Sequence, residues 1–223
     1  MLLKKLSKAA AVCAVMGMAL AMVSCGDRND GTYLTHEALE DESLKLGGKW
    51  KLTGGYVYEA ELYGEEHVWC GWDEEGDEIT PQKVTDLRTV ARVFENYVIG
   101  SFHGGSSSDD SEDSALHFDN SLCLTLTDAQ AKKMLKSCLS YIDENEDGFA
   151  WVKNKHQFNT PEGFELKSFD GDVKGYVRLS ADHARIDMYS YFYYEAKTLD
   201  LEEDEEIFDG VKDEHSFTLT RQS

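Results

Sequence analysis

A succession of strand-forming segments runs along this 223-residue chain and limits its fold to one rich in β-structure. These segments are rich in β-branched and aromatic residues and are separated by polar turns, a pattern typical of antiparallel strands. They cover residues 49–58, 67–72, 122–126, 164–169, 173–179, 185–195 and 216–221, with a turn at 170–172. The stretch 84–102 mixes two periods and fits two strands or a helix followed by a strand. Its Val, Phe, Tyr and Ile residues favour the two strands. The expected fold is mainly β, an antiparallel barrel or a strongly curved sheet.

One strong helix interrupts these strands. Thr127 and Gln130 have the spacing of a capping box, and apolar residues then recur at helical spacing. These residues are Ala131, Met134, Leu135, Cys138, Leu139 and Ile142. Their stripe predicts a helix packed over one end or face of the barrel or sheet. A shorter helix is expected within 35–46, ended by Gly47 and Gly48.

The first 24 residues have the layout of an export signal. A basic patch precedes an uncharged stretch at 9–23, which is shorter than the roughly 20 apolar residues of a membrane span. Met22-Val23-Ser24-Cys25 resembles the lipobox of bacterial lipoproteins, and this resemblance implies cleavage before Cys25 and acylation of that residue. The lipid would hold the protein in the cell envelope, at the outer membrane, in either leaflet. An ordinary signal peptide without lipidation is the alternative.

Charge limits the partners of the mature protein. Without the three lysines of 1–24, the chain has 19 cationic and 43 anionic side chains, a net charge of −24. Such a surface repels nucleic acid and anionic lipid headgroups. We expect residues 25–46 to form a lipidated tether with the short helix, and 47–223 to form one domain. The segment 104–114 has no apolar side chain and is expected to be a mobile loop.

Both ends of the expected domain resemble lipocalin-like domains. Gly48-Lys49-Trp50 is similar to the Gly-x-Trp motif of their first strand, and 217–221 is similar to their last strand. The resemblance implies that Trp50 is structural, that it plugs the base of a barrel, and that Arg221 lies over it. It also implies a barrel that holds a small apolar or amphipathic ligand.

The aromatic segment 189–194 is the main candidate for a ligand site. As a strand it places Tyr189, Tyr191 and Tyr193 on one face, and Phe192 and Tyr194 on the other. One interpretation is purely structural, because aromatic residues suit strands whatever the function. The other is a ligand pocket in which the three tyrosines are joined by Trp69 and Trp72.

Calcium is the one cofactor that the sequence suggests. Asp143, Asn145 and Asp147 match the first ligand positions of an EF-hand loop, but Asn154 stands where the bidentate Glu is needed. We favour coincidence in an acid-rich chain, so no cofactor is expected, and a partial calcium site is the alternative. The acidic run at 202–206 is interpreted as a solvated loop.

No catalytic motif emerges from the sequence, so we expect a protein that is not an enzyme. Cys70, Cys123 and Cys138 are interpreted as small buried residues, and one disulfide between two of them is the alternative. Two functions remain: a lipocalin-like binding protein for a small apolar ligand, or an interaction lipoprotein with a fully packed barrel and an envelope protein as partner.

Overall fold

A computed structural model describes residues 31–73, 75–99, 116–153 and 162–223 of the chain. For Tyr141 and residues 144–153 it describes the backbone alone. The predicted export signal, the predicted lipidation site Cys25 and the expected mobile loop at 104–114 all lie outside the described residues.

The compact unit begins at Gly31, earlier than the predicted boundary at residue 47. A two-residue strand, β1 (Thr32–Tyr33), pairs with a strand from the second half of the chain, and Leu34, Leu39 and Leu46 are buried in the core. Residues 25–46 were predicted to form a lipidated tether with a short helix. Their described part, from Gly31, belongs to the compact unit, and these three leucines fill its core.

The fold is mainly β, as predicted, and its strands form one antiparallel sheet. The strands are β1 (Thr32–Tyr33), β2 (Gly48–Gly64), β3 (Val68–Trp72), β4 (Glu78–Ile79), β5 (Cys123–Leu126), β6 (Phe164–Leu179), β7 (Arg185–Asp200) and β8 (Glu205–Gln222). Their order is β1-β6-β7-β8-β2-β3-β4, and β5 pairs with the start of β2. Among the described strands the two edges do not pair, so the sheet is strongly curved and open rather than a closed barrel.

Four long strands form the body of this sheet. The predicted turn at 170–172 is wrong, because Asp170, Gly171 and Asp172 pair continuously with Glu195, Tyr194 and Tyr193 within β6 and β7. The acidic run at 202–206 is partly a turn, as predicted, but Glu205 already begins β8. Cross-strand pairing therefore outweighs the local turn preference of the Asp-Gly-Asp sequence.

The helices are α1 (His36–Glu40), α2 (Leu87–Phe94), a π-helical turn (Glu95–Ile99) and α3 (Asp128–Lys153). The strands predicted within 84–102 are therefore wrong. The Asp86 side chain accepts a hydrogen bond from Thr89 N at 3.0 Å and so caps α2. Val90, Phe94 and Val98 recur every four residues and are all buried. Helical spacing thus outweighs the β preference of the individual side chains.

The predicted long helix is confirmed as α3. Its capping box is formed: Thr127 N donates to Gln130 Oε1 at 2.9 Å, and Gln130 N lies 3.2 Å from Thr127 Oγ1. Ala131, Met134 and Leu135 are almost completely buried against the sheet. Its stripe of apolar residues therefore covers one face of the sheet, as expected.

That helix-covered face holds the hydrophobic core. Directly paired residues share a face, so the core row follows from the register: Trp50, Leu52, Phe217, Leu219, Ile186, Met188, Val177 and Leu179. Trp50 is fully buried and donates from Nε1 to Leu46 O at 2.8 Å. The Arg221 guanidinium lies 5.1 Å from the Trp50 ring centroid, the arrangement that the lipocalin resemblance implied.

Three described cysteines lie within this fold as free thiols. Cys70, Cys123 and Cys138 are buried and unpaired with one another, which confirms their interpretation as small buried residues.

Candidate functional site

The predicted tyrosine row lies on the sheet face opposite the core. Tyr189, Tyr191 and Tyr193 pair with Ser216, Glu214 and Lys212, and all three rings are half-buried. We call this surface of β6, β7, β8, β2 and β3 the aromatic face. The row therefore does not line the inside of a closed barrel, as the pocket interpretation required. It forms part of an open surface.

The two predicted tryptophans lie on different faces. Trp69 pairs with Leu62 on the aromatic face, and its ring centroid is 6.0 Å from that of Tyr193. Trp72, three residues later, points to the helix-covered face, where it stacks on Tyr63 and is 49% exposed. Trp69 therefore belongs to the candidate site, and the prediction that Trp72 joins it is wrong.

Other aromatic residues extend the row in both directions. Tyr176 on β6 stacks against Tyr189 at 5.6 Å, and Tyr33 on β1 meets Tyr176 edge-on at 5.4 Å. On β2, Tyr56 and Tyr58 lie on the same face, directly paired with Ser216 and Glu214. These four tyrosines were missed from the sequence. Their alternation within β2 and β6 was visible, but the order of the strands was not.

Glu214 lies at the centre of these rings. Its Oε1 accepts hydrogen bonds from the hydroxyls of Tyr56 at 2.5 Å and Tyr189 at 3.4 Å, and Lys83 Nζ lies 3.2 Å from Oε2. Burial alone would raise the pKa of Glu214, but the Tyr56 and Lys83 hydrogen bonds leave it below its usual value. Burial, together with the Glu214 carboxylate, raises the pKa of Tyr56 and Tyr189. The carboxylate is thus ionised, and the phenols stay neutral, at ordinary pH.

Lysine ammonium groups lie over several of the rings. Lys83 is 4.0 Å from the Tyr56 centroid and Lys174 is 4.5 Å from that of Tyr191. At longer range, Lys212 lies over Tyr58 at 5.6 Å and Lys197 over Phe208 at 5.4 Å. All four pairs lie on the aromatic face. Cations therefore concentrate on this one surface of an acidic chain.

The aromatic face consequently carries no net charge from its paired residues. Among the paired residues of β2, β6, β7 and β8, its cationic side chains are Lys49, Lys51, Lys174, Arg178, Arg185, Lys197 and Lys212. An equal number are anionic: Glu165, Asp170, Asp172, Asp187, Glu195, Glu206 and Glu214. On the helix-covered face the same strands carry Arg221 against Glu59, Glu61, Asp200, Glu205, Asp209 and Asp213. The excess acid of the sheet is thus on the other side.

The charged groups of the aromatic face pair with one another. Lys174 Nζ lies 2.8 Å from Asp172, and Arg178 lies 3.0 Å from Asp187. The Tyr193 hydroxyl donates to Glu195 at 2.9 Å, and burial together with this carboxylate raises the pKa of Tyr193 to about 12. Ring surfaces therefore alternate with polar groups that can donate or accept hydrogen bonds without presenting a net field.

A second polar cluster lies on the helix-covered face. His215 is 2% exposed, and its Nε2 is 3.0 Å from Glu59 Oε1. It borders a shallow recess whose walls include Cys138, Met188 and Phe217. Burial raises the pKa of the adjacent Asp213 to about 6. The walls of this recess are mostly apolar.

The predicted calcium loop is not formed. Asp143, Asn145 and Asp147 lie within α3, which continues without interruption to Lys153. Residues two apart on a helix do not share a face, so the backbone does not bring positions 143, 145 and 147 together as a loop would. Asp143 instead lies 3.1 Å from His36 Nε2. Within the described residues, no group of three or more His, Cys, Asp or Glu side chains has the arrangement of a metal site.

Comparisons with known proteins found no relative of this chain. No known protein family, no curated protein and no solved structure matches the chain. In the part of the chain that the structure describes, every helix is too short or too polar to span a bilayer.

Proposed function

We propose that this chain is an envelope lipoprotein, anchored through Cys25, that captures a small amphipathic ligand on the aromatic face of its sheet. The observation that carries the proposal is the collection of seven tyrosines and Trp69 on one open, half-buried surface: Tyr33, Tyr56, Tyr58, Tyr176, Tyr189, Tyr191 and Tyr193. The hydrophobic core lies on the helix-covered face of the sheet, so the core does not require these aromatic residues. The proposal supposes neither catalysis nor a cofactor.

Surface energetics support a ligand at this position. A large aromatic side chain that remains in contact with water does not contribute the stabilising free energy that its burial would provide. Here they are concentrated on one surface, and contiguous aromatic patches of this kind mark interaction sites in soluble proteins. Their hydroxyls, held by Glu214 and Glu195, supply fixed polar groups to orient a bound molecule.

The two tryptophans provide a matched test. The mature domain without Cys25, secreted to a bacterial periplasm and purified gently, is analysed by native mass spectrometry for co-purified ligand. We expect a reproducible excess mass that Trp69→Ala abolishes or reduces at least severalfold. Trp72→Ala removes an equally large ring from the opposite face and should leave the excess mass unchanged.

Thermal unfolding of both variants separates loss of binding from loss of folding, because Trp69 also pairs with the fully buried Leu62. Equal effects of the two substitutions on the bound mass would contradict the proposal. An apo mass in every preparation, combined with crosslinks to an envelope protein, would favour the alternative of an interaction lipoprotein.

The anchor has its own test. In the full chain, Cys25→Ser should move the protein from the membrane fraction to the soluble fraction, because no acyl chain can then be attached. A neighbouring substitution, Asp27→Asn, serves as the control and should leave the protein in the membrane fraction. If the Cys25→Ser variant also stays in the membrane fraction, a lipid on this cysteine is not the anchor.

A further inference from the structure

We infer that the small amphipathic ligand of the aromatic face is an uncharged oligosaccharide, free or as a segment of a longer polymer, an inference that rests on the proposed function and deepens it. The occupant is identified from three properties of the face: the arrangement of its rings, its charge balance, and the charged polar groups placed between the rings.

The rings extend across five strands rather than enclosing a cavity. Tyr33, Tyr176 and Tyr189 form a continuous series across β1, β6 and β7, with centroid separations of 5.4 and 5.6 Å. Along β7, Tyr191 and Tyr193 are nearly parallel, at 22° and 6.5 Å. An extended, open array of this kind contacts a chain-like ligand at several points, whereas a single small hydrophobic molecule requires an enclosed pocket.

A sugar ring matches such a surface chemically. Its faces present C–H groups that pack on aromatic rings, and its rim presents hydroxyls that donate and accept hydrogen bonds. Between the rings, Glu214, Lys174 and Asp172 supply charged partners for hydroxyls, and hydrogen bonds to charged groups are stronger than neutral ones.

Charge excludes the main competing occupants. The paired cations and anions of the aromatic face are equal in number, so the face does not select an ionic ligand by attraction. The rest of the mature protein carries the net charge of −24, which repels anionic polysaccharides, nucleic acid and anionic lipids at long range. A neutral polyhydroxylated molecule avoids this repulsion. It can pack on the rings and form hydrogen bonds with the charged groups between them.

The test is native affinity electrophoresis of the mature domain in gels that contain one soluble polysaccharide each. The uncharged probes are β-glucan, arabinoxylan, galactomannan and dextran, and alginate is the anionic probe. We expect at least one uncharged probe to retard the protein and alginate not to. Isothermal titration with oligosaccharides of the retarding polymer then gives the affinity.

Variants of the tyrosine row locate the site. Tyr191→Ala should weaken the affinity about tenfold or more, and Tyr191→Phe, which keeps the ring, should stay close to wild type. Tyr63→Ala, an exposed ring on the helix-covered face, is the matched control and should bind normally. Circular dichroism melts confirm that each variant is folded.

Failure of this inference can be distinguished from failure of the proposed function. If no uncharged polysaccharide retards the protein, or alginate retards it equally, the saccharide assignment is overturned. In that case, a lipid or a polypeptide that co-purifies with wild type and is lost in Trp69→Ala would leave the aromatic face as a binding site for a different ligand. Retardation that survives Tyr191→Ala and Trp69→Ala would place the saccharide elsewhere and overturn both.

Discussion

At the scale of single residues, Asp213 lowers the free energy of unfolding in a pH-dependent way. Its carboxylate lies on the helix-covered face among Glu59, Glu61 and His215, and burial raises its pKa from 3.8 to about 6. Between these two values the folded state keeps a proton that the unfolded chain has lost. The free energy of unfolding therefore falls as pH rises through this window, and the full cost is present above pH 6.

Replacing this residue should therefore stabilise the protein at neutral pH. We expect Asp213→Asn to raise the melting temperature by roughly 3–6 °C at pH 7.5, and to change it little at pH 4. Glu202→Gln, in an exposed turn, controls for the loss of one negative charge from an acidic protein. Differential scanning calorimetry at both pH values measures the effect. A stabilisation by Asp213→Asn that is equal at pH 4 and pH 7.5 would show that burial of the carboxylate is not its cause.

Residue-level patterns predicted part of the candidate site and missed the rest for a definable reason. Alternation along one strand placed Tyr189, Tyr191 and Tyr193 on a common face. The same rule separates Trp69 from Trp72, because residues three apart on a strand face opposite ways. Tyr56 and Glu214 come from strands distant in sequence, and only the register between β2 and β8 brings them together. Alternation within a single strand does not reveal that register.

At the scale of elements, the contact between α3 and β6 depends on a glycine. A Cβ atom added at Gly175 would lie 2.6 Å from Ile142 Cδ1 and 2.7 Å from Tyr189 O. A larger side chain must displace the Ile142 side chain of α3 and the backbone of β7 at Tyr189, and overpacking of this kind costs about 1–3 kcal/mol. The glycine thus allows α3, β6 and β7 to pack closely at this position.

The corresponding test compares two strand glycines. Gly175→Ala should lower the free energy of unfolding in urea by about 1–3 kcal/mol. Gly54→Ala is the control, because its added Cβ would meet Thr218 at an ordinary 3.7 Å. If both substitutions have the same small effect, the helix is not held against β6 by this close approach.

Elements differed in how well the sequence predicted them. The start of α3 was predicted from Thr127 and Gln130 because the capping box is a local interaction between nearby residues. The segment Leu87–Phe94 was assigned to strands because side-chain preference was weighted above spacing. Residues Asp143–Gly148 resemble a loop in composition, yet their backbone continues the helix. Composition is thus a weaker guide than periodicity where an element packs on a sheet.

At the scale of the whole molecule, charge is distributed unequally between surfaces. A chain with a net charge of −21 is destabilised by its own repulsion, whereas the aromatic face is locally balanced. The total charge can be counted from the sequence, and the expectation that it repels anionic partners stays a prediction. The segregation could not be predicted, because the face of each charged residue follows from strand pairing.

Because of this segregation, added salt should affect stability and ligand binding differently. Raising NaCl from 10 to 200 mM shortens the screening length from about 30 Å to less than 10 Å, which weakens the repulsion among distant carboxylates. The melting temperature should rise by several degrees, because the folded state concentrates charge more than the unfolded chain does. Binding of the uncharged ligand to the aromatic face should change less than twofold over the same range, because no net charge attracts it. Calorimetry on one preparation measures both quantities. A steep loss of affinity with salt would mean that the ligand is ionic. The equal numbers of cations and anions on the aromatic face would then not determine which ligand binds.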